Sequence, residues 1–551
     1  MTGFSRRGFL SMAGIGAGAA VLASCSSTSS NASGAGGGGE GFQLPTYQAA
    51  PDLDVSPYYT SDTEGMENVY TEQVSSFFQS VDREPGSGDT VTTFQLTWGD
   101  PPKKVEENPY WQELNERLGV SFEPTFAPAP TFDQSFATML ASGEVPDLVF
   151  LNDQSAPQLQ AIRDGAFADL SEVLAGDNIL QWPNLAARQE NIWRASLKDG
   201  RLYQIPSIVW AITNPVVVRN DLLGQTSVGE SPADADELFT ALKEVSELGS
   251  GPGGQRVYGV SKYESPMWRW IFKTGADWQL DEAGNLVHVA ETDNYREMLT
   301  WLAQAWAEGI FDPVAMTSND ADIVSGAGLE FRAVTNTFTT ADGLAQDEAD
   351  LPGVEADYFI LPGFDGDGPL ITRNIPYGRS TVISAAAAED SDRLTEILNV
   401  LDYLSAPYGS EEALFIGAGI EGRHYTFDEH GIPVSTEEHT DELGVQYVAV
   451  VSGDNSYRGH PNQEPWKDSF SEALEHMAQH SEARVLEGLE SNSETFVRQG
   501  AQLTQLWTDF ERGVVSGRES VDDLDSFISE YMSRGGEDVR TEYTEALDAN
   551  S

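Results

Sequence analysis

Apolar positions between residues 91 and 153 recur first with the alternating period of a strand and then with the wider spacing of a helix. The two kinds of stretch follow one another, so the pattern predicts a β-α-β-α-β order and an α/β sheet. The last strand, PDLVFLND, is apolar until its polar end, which is typical of a strand buried within a parallel sheet. The predicted elements are strands 91–98, 120–126 and 146–153 and helices 108–119 and 132–143.

Longer amphipathic helices dominate the remaining chain, and no internal repeat is visible. These helices are predicted at 232–245, 291–309, 391–405, 494–514 and 520–546. Helices of this length beside the α/β segments predict two lobes, of which the second is richer in helix.

The N-terminus has the parts of an export signal. Arg6 and Arg7 precede an uncharged Gly- and Ala-rich stretch that ends in Leu-Ala-Ser-Cys. The twin arginines resemble a Tat signal, and the final four residues resemble the bacterial lipobox, whose Cys is lipidated. We therefore expect residues 1–24 to be a signal peptide and Cys25 to be the lipidated first residue. The alternative is a buried structural Cys after an Ala-rich helix.

Residues 25–90 carry no clear periodicity. They open with a Ser/Gly run, SSTSSNASGAGGGGEG, and continue with Pro, Tyr, Ser and acidic residues. We expect a lipid-anchored tether followed by an irregular segment. The protein is then predicted to be extracytoplasmic and attached to the membrane of a bacterium.

The charge excludes several partners. The chain has 551 residues, with 88 acidic and 31 basic side chains and a formal net charge of −57. It offers no positive field for nucleic acid or for an anionic membrane surface. Its single Cys excludes an internal disulfide.

Six segments in order along residues 90–551 resemble those of one known family. They are NPYWQELNERLGVSFEP, PDLVFLND, KDGRLYQIP, MWRWIFKTGADWQLDEAGNLVH, YFILPGFDGDG and GIEGRHYTFDEHGIPV. The family is the extracellular solute-binding proteins of carbohydrate ABC importers, in particular the large oligosaccharide-binding lipoproteins. One departure is Asn220 with Leu222 and Leu223, where this family usually has Lys and Trp.

This resemblance implies a hinged, two-lobed periplasmic-binding-protein fold of type 2. Lobe I is expected at 91–207 plus 364–410, and lobe II at 208–363 plus 411–551. The chain is expected to cross between lobes near 206–210 and 358–364, with a third crossing near 407–416. The implied function is to capture an oligosaccharide between the lobes and deliver it to ABC permease subunits, as a monomer and without chemistry of its own.

A sugar packs its C–H surfaces against aromatic rings and forms hydrogen bonds through its hydroxyls with polar or charged side chains. Residues of these kinds at predicted strand ends, crossings and loops are the candidate ligand contacts: Trp98, Asn152, Asp153, Tyr203, Trp210, Arg219, Trp268, Trp270, Asn336, Tyr377, Arg379 and Tyr457. For the Trp residues the alternative is core packing, and for Asn152 and Asp153 it is helix capping. The two Arg residues have interlobe ion pairs as their alternative.

Two further motifs do not indicate a cofactor or metal. GAGIEG, at 417–422, has dinucleotide-loop spacing, but a strand-like stretch follows it where a helix is needed. His476 and His480 are one helical turn apart, yet the Glu of a zinc-protease helix is absent. We therefore expect neither a cofactor nor a metal site.

Two other functions stay open. Carbohydrate enzymes such as glycosidases or lyases share aromatic clefts and use paired carboxylates, which this acidic chain offers everywhere. The same fold also serves peptide ligands. Cleavage of a polysaccharide would indicate an enzyme, and binding of peptides instead of sugars would indicate a peptide receptor.

Overall fold

The computed structural model describes residues 43–66, 68–97, 100–152, 155–208, 211–212, 215–249, 256–261, 263, 266–316, 332–334, 353–374, 377–428, 431–446, 457–458 and 466–550. The strands are β1 (Asn68–Val69), β2 (Thr90–Thr97), β3 (Ser121–Pro128), β4 (Leu148–Asn152), β5 (Gln204–Ile208), β6 (Val217–Arg219), β7 (Tyr258–Val260), β8 (Trp278–Leu280), β9 (Leu286–His288), β10 (Arg332–Val334), β11 (Ala356–Tyr358), β12 (Ile371–Thr372), β13 (Tyr377–Ile383), β14 (Tyr425–Phe427), β15 (Pro433–Ser435), β16 (Tyr457–Arg458) and β17 (Ser481–Glu482).

The α-helices are α1 (Pro109–Leu118), α2 (Phe132–Ser142), α3 (Ala156–Arg163), α4 (Pro183–Ala186), α5 (Glu190–Ala195), α6 (Asn220–Leu223), α7 (Ala235–Glu247), α8 (Pro266–Ile271), α9 (Asp293–Ala307), α10 (Ser391–Leu404), α11 (Glu411–Ala418), α12 (Glu437–Glu442), α13 (Lys467–Gln479), α14 (Glu494–Val515), α15 (Leu524–Tyr531) and α16 (Glu537–Asn550). Within the described ranges, no helix combines the length and apolar character that a bilayer span requires.

A five-stranded sheet with the order β3-β2-β4-β13-β5 forms the frame of lobe I. Strands β2, β3 and β4 run parallel, as the alternating pattern predicts. Strand β13 is inserted antiparallel between β4 and β5, although it lies far downstream in the chain. The predicted α/β fold is therefore confirmed, with a mixed sheet in place of a purely parallel one.

Helix α1 shows how local sequence sets these elements. The side chain of Asn108 accepts a hydrogen bond from the backbone N–H of Trp111 at 3.0 Å, which caps the helix. Pro109 occupies the first turn, where a missing N–H costs nothing. Gly119 ends the helix at φ 64°, a conformation that favours Gly. The face carrying Leu114 and Leu118 is buried against the sheet core.

Two hydrophobic cores divide the described residues. The lobe I core includes Val91, Leu114, Phe150, Val382 and Leu401. The lobe II core includes Val217, Leu242, Trp301 and Phe470 and lies around a four-stranded sheet of order β11-β6-β10-β7. The long helices α7, α9, α13 and α14 all contribute apolar faces to the second core, so lobe II is helix-rich.

The chain changes from one core to the other at three places in the body. Residues change core between Ile205 and Ile212, between Ile371 and Val382, and between Val445 and Trp466. The expected crossings, near 206–210, 358–364 and 407–416, stay predictions. Helix α11 contributes Phe415 to the lobe I core.

The segment before β2 packs on the body, which its lack of periodicity did not predict. Val69 is fully buried in the lobe II core and Val81 is buried in the lobe I core. Most of its backbone forms no regular element, because its hydrogen bonds go to loops and side chains of both lobes.

Candidate functional site

Four strands of the lobe I sheet end or begin at one edge. Asn152, at the end of β4, is paired with Arg379 of β13, and Ile208, at the end of β5, is paired with Tyr377. Strand β2 runs parallel to β4 and ends at Thr97 on the same side. The fold thus gathers three predicted contact residues, Asn152, Tyr377 and Arg379, along this edge, which we call the lobe I edge.

Three further predicted contacts lie outside the described residues. Trp98 follows β2 directly, Asp153 follows β4 directly, and Trp210 comes two positions after β5. Each is therefore attached to a strand that ends at the lobe I edge.

Arg379 is the described charged side chain at this edge, and it is exposed. Next to it in β13, Ser380 is buried and donates to Oε1 of Gln204 at 2.9 Å. Gln204 in turn donates to the backbone carbonyl of Ser196 at 3.0 Å. These buried polar bonds lock β13 onto β5 and so hold the strand that presents Arg379.

Arg188 stabilises β5, one of the strands that end at the lobe I edge. Its guanidinium is fully buried and donates to the carbonyl of Pro206 in β5 at 3.0 Å, to the carbonyl of Asn184 at 3.0 Å and to Oγ of Ser405 at 3.1 Å. Burial lowers the pKa of Arg188 to about 9. No sequence pattern identifies this residue, because a lone Arg between two short helices carries no signal that it will be buried.

In lobe II, β7 and β10 run parallel, with Val260 paired to Val334. The predicted contact Asn336 follows β10 by two positions and lies outside the described residues. The carboxyl ends of parallel strands lie at one edge of a sheet. This edge of the lobe II sheet is therefore the candidate second side of a ligand cleft.

Two predicted contacts occupy other places. Tyr203 precedes β5, which runs toward the lobe I edge, so it lies at the opposite end of the strand, roughly 16 Å away. Arg219 ends β6, which is antiparallel to β10, and its guanidinium is buried and held by Asp221, with Nε to Oδ1 at 2.6 Å. The structure therefore places Tyr203 away from the lobe I edge and buries Arg219, because strand direction and burial depend on partners. Their roles as ligand contacts stay predictions.

Trp268 and Trp270 are core residues in this structure. Trp268 is 1% exposed, and its ring centroid lies 5.0 Å from that of Trp301 and 5.9 Å from that of Phe311. Trp270 is 6% exposed and belongs to the same core. Their sequence position at the start of a helix predicts that they contact the ligand. Their burial and their packing against other aromatic rings favour the alternative, a role in the core.

The last two predicted functional residues lie elsewhere. Tyr457 belongs to β16, which pairs with Asn68 of β1, and its side chain is not among those described. Cys25 lies outside the described residues.

The two motifs set aside have structural explanations. Residues 417–422 begin in the last two residues of helix α11 and precede strand β14, the reverse of the order in a dinucleotide loop. His476 Nε2 lies 2.9 Å from the carbonyl of Leu361, and His480 Nδ1 lies 2.8 Å from the carbonyl of His476. Among the residues that the structure describes, no group of three His, Cys, Asp or Glu side chains is arranged to hold a metal ion.

Two adjoining cavities of about 400 and 530 Å³ lie on the flank of lobe I. Arg117 and Glu411 border both. Arg117 is at the end of α1, which runs antiparallel to the strands, so these cavities are remote from the lobe I edge. Their described lining residues include none of the predicted ligand contacts.

Comparison with known proteins gives the same fold. Lipoprotein LipO of Bacillus subtilis (strain 168) is 22% identical over 486 residues, covering 82% of this chain and 91% of LipO. The solved alginate-binding protein AlgQ2, without calcium ion, is 16% identical with a TM-score of 0.61, and the match covers 86% of this chain and all of that one.

The N-glycan transport solute-binding protein NgtS of Streptococcus pneumoniae is 16% identical, with a TM-score of 0.59 over 84% of this chain and 99% of that one. An HMO-binding, ABC-transporter-associated protein of Bifidobacterium longum infantis is 15% identical, with the same score and the same coverage of both chains.

These matches have the two-lobed periplasmic-binding-protein fold, which confirms the predicted fold class. The family model described as bacterial extracellular solute-binding protein matches residues 102–407, more than half of the chain. The chain therefore belongs to the bacterial extracellular solute-binding protein family, as its six ordered segments predict.

Proposed function

We propose that this protein is the substrate-binding lipoprotein of a carbohydrate ABC importer. It captures an oligosaccharide in a cleft between its lobes and delivers it, chemically unchanged, to membrane permease subunits. Family membership supports a binding role, and the alginate-binding, HMO-binding and N-glycan transport proteins that share its fold support a carbohydrate ligand.

The observation that carries this proposal is the exposed Arg379 at the lobe I edge, in register with Asn152 and two residues after Tyr377, which is paired with Ile208. A guanidinium fork donates to neighbouring hydroxyls or binds a carboxylate with two bonds. The aromatic faces for the sugar ring are expected from Trp98, Trp210 and Tyr377, which in the sequence follow β2, follow β5 and begin β13.

The test is calorimetry of the mature protein against milk oligosaccharides, N-glycan fragments, alginate fragments, kestose and a peptide mixture. Each injection series is followed by product analysis. We expect binding of one sugar class without cleavage. Bond cleavage would indicate the enzyme alternative, and binding of peptides alone would indicate a peptide receptor.

Arg379→Ala tests the site itself. A charge-assisted hydrogen bond contributes about 1.5–3 kcal/mol, so we expect affinity to fall about 10- to 100-fold. Arg201→Ala is the matched control, because Arg201 is an exposed arginine of the same lobe before the opposite end of β5. An equal effect of both substitutions would remove Arg379 from the site.

We further propose boundaries for the lobes. Lobe I comprises 91–207, a return segment from about 377 to 410, and also 411–446, because Phe415 and Val445 belong to its core. Lobe II comprises about 211–374 and 466–551, because both ranges contribute to the other core. Limited proteolysis followed by mass spectrometry tests this, since cleavage is expected first at the crossings.

We also propose that the protein is exported through a signal peptide over residues 1–24 and anchored by lipid on Cys25 as a monomer. LipO, a lipoprotein, supports this. Cys25→Ser should move the protein from the membrane fraction to the medium, and Arg6→Lys with Arg7→Lys should block export if the Tat route is used. Unchanged membrane association of Cys25→Ser would refute lipidation.

A further inference from the structure

The segment that precedes the lobe I sheet begins on lobe I. Gly176 accepts from the backbone N–H of Thr46 at 3.0 Å, and Ala186, a lobe I core residue, accepts from that of Gln48 at 2.9 Å. The hydroxyl of Thr46 also donates to Asp177 at 2.8 Å. Residues 43–48 are thus fastened to lobe I.

The same segment then attaches to lobe II. The hydroxyls of Tyr58 and Tyr59 donate to Asp468 and Glu475, two carboxylates of helix α13. Val69 is fully buried in the lobe II core, and β1 pairs in parallel with β16. Helix α13 packs in that core through Phe470 and Leu474, so this attachment is to the body of lobe II.

The chain next returns to lobe I. Phe78 donates its backbone N–H to the carbonyl of Gly409 at 3.0 Å. Both the backbone N–H and the hydroxyl of Ser80 donate to Oε2 of Glu412 at 2.9 Å. Val81 is buried in the lobe I core, which completes a loop from lobe I to lobe II and back.

The part of this segment that is attached to lobe II also contacts the first crossing of the body, and its outgoing and returning stretches contact each other. The carbonyl of Gly65 accepts from the backbone N–H of Ala211 at 3.1 Å, at the first crossing. Asp54 accepts from the backbone N–H of Ser75 at 3.1 Å, so the outgoing and returning stretches are joined to each other.

From these contacts we infer that residues 43–81 form a strap that ties lobe I to lobe II and limits how far the lobes separate. Between the attachments, residues 49–57 extend at most about 30 Å. The return to lobe I is shorter, because the ring centroid of Tyr70 lies 6.0 Å from that of Tyr408 and Oε1 of Gln73 accepts from the Tyr408 hydroxyl at 3.2 Å. A chain fastened at both ends resists separation of the lobes but cannot push them apart. The strap therefore disfavours wide opening and, on the proposed function, raises affinity for the sugar that the closed lobes hold.

The experiment lengthens the strap without removing an attachment. Ten Gly/Ser residues inserted after Ser56 and ten after Glu72, both exposed, add up to about 34 Å to each of the two stretches that connect the lobes. The matched control carries two such insertions in series after Glu282, in the exposed turn between β8 and β9. Thermal melting of both proteins verifies that they fold.

Distances are read by pulsed electron paramagnetic resonance between spin labels at Thr138→Cys of α2 and Thr300→Cys of α9. Both positions are exposed and lie on different lobes. Since Cys25 is the chain's single Cys, a Cys25→Ser background leaves only these two thiols. Without sugar, we expect the lengthened strap to shift the distance distribution several Å outward relative to the control.

Calorimetry with the sugar class that binds the unmodified protein supplies the second readout, and we expect about tenfold weaker binding for the lengthened strap only. Identical distance distributions in the lengthened and control proteins would overturn the inference. The distance measurement needs no ligand. If no sugar binds any variant, the proposed function fails while the strap is still tested.

Discussion

Glu442 binds the Arg and the His of the sequence motif GIEGRHY, and we expect these bonds to raise the free energy of unfolding. Its carboxylate is 1% exposed and accepts two bonds from Arg423, at 2.8 and 2.6 Å, and lies 3.0 Å from Nε2 of His424. Nδ1 of His424 accepts the backbone N–H of Ile420 at 2.9 Å. The ring is therefore the neutral tautomer with its proton on Nε2, and it donates to Glu442.

These bonds, first those from Arg423 and then that from His424, lower the pKa of Glu442 from its ordinary 4.5 to about 2. A pKa lowered in the folded state stabilises the protein above the unfolded value and stops doing so as the pH falls through the folded value. The difference corresponds to about 3 kcal/mol at pH 7 and about 1.4 kcal/mol at pH 3.

Glu442→Gln keeps the shape of the side chain and removes its charge. We expect it to lower the free energy of unfolding by about 3 kcal/mol at pH 7 and by about half as much at pH 3. Urea unfolding followed by circular dichroism at pH 7, 5, 4 and 3 measures this. Glu438→Gln is the control, because Glu438 is an exposed residue of the same helix α12, and we expect a change below about 0.5 kcal/mol.

The outcome that refutes this reasoning is a Glu442→Gln difference below about 1 kcal/mol at pH 7, or one that does not change with pH. The first would mean that the ion pair does not stabilise the fold, and the second that shape and not charge is responsible.

Three further predictions concern buried contacts. Gly419→Ala should lower the melting temperature more than Gly422→Ala does. Both residues have a positive φ, 87° and 77°, but a Cβ atom at 419 would lie 2.8 Å from His424, whereas one at 422 would meet nothing within 4 Å. Asp312→Asn should cost about 3–5 kcal/mol in urea unfolding, because it leaves the buried guanidinium of Arg332, bonded to Asp312 at 3.0 Å, without its carboxylate; a cost below 1 kcal/mol would contradict this. Trp268→Ala should cost about 3–5 kcal/mol by the same assay yet leave the sugar affinity of the folded protein unchanged in calorimetry, and lost affinity would return Trp268 to the site.

The buried hydrogen bonds of Arg188 fix the end of β5 at the lobe I edge. Arg188 joins β5, α4 and the residue after α10 through three buried hydrogen bonds. The chain leaves lobe I for lobe II directly after β5, so the first crossing starts from a fixed point.

The pattern of neighbouring residues along the chain was sufficient to predict several secondary-structure elements and the family. Periodicity predicted β2, β3 and β4 with α1 and α2 between them, since each element is specified by neighbouring residues and its caps. The order of short motifs predicted the family. The signal peptide, the lipidated Cys25 and the sugar ligand stay predictions.

Tertiary structure decided what depends on distant partners. Strand β13 enters the sheet antiparallel from far downstream, and only that pairing sets Arg379 opposite Asn152. It also fixes the direction of β5, which places Tyr203 at the end of the strand away from the lobe I edge. Trp268 is buried because Trp301 and Phe311 pack against it, and the segment before β2 is held by side chains of α11 and α13. The physical reason is common to all four: burial and pairing energies come from residues that meet only when the chain has folded, so no local pattern encodes them.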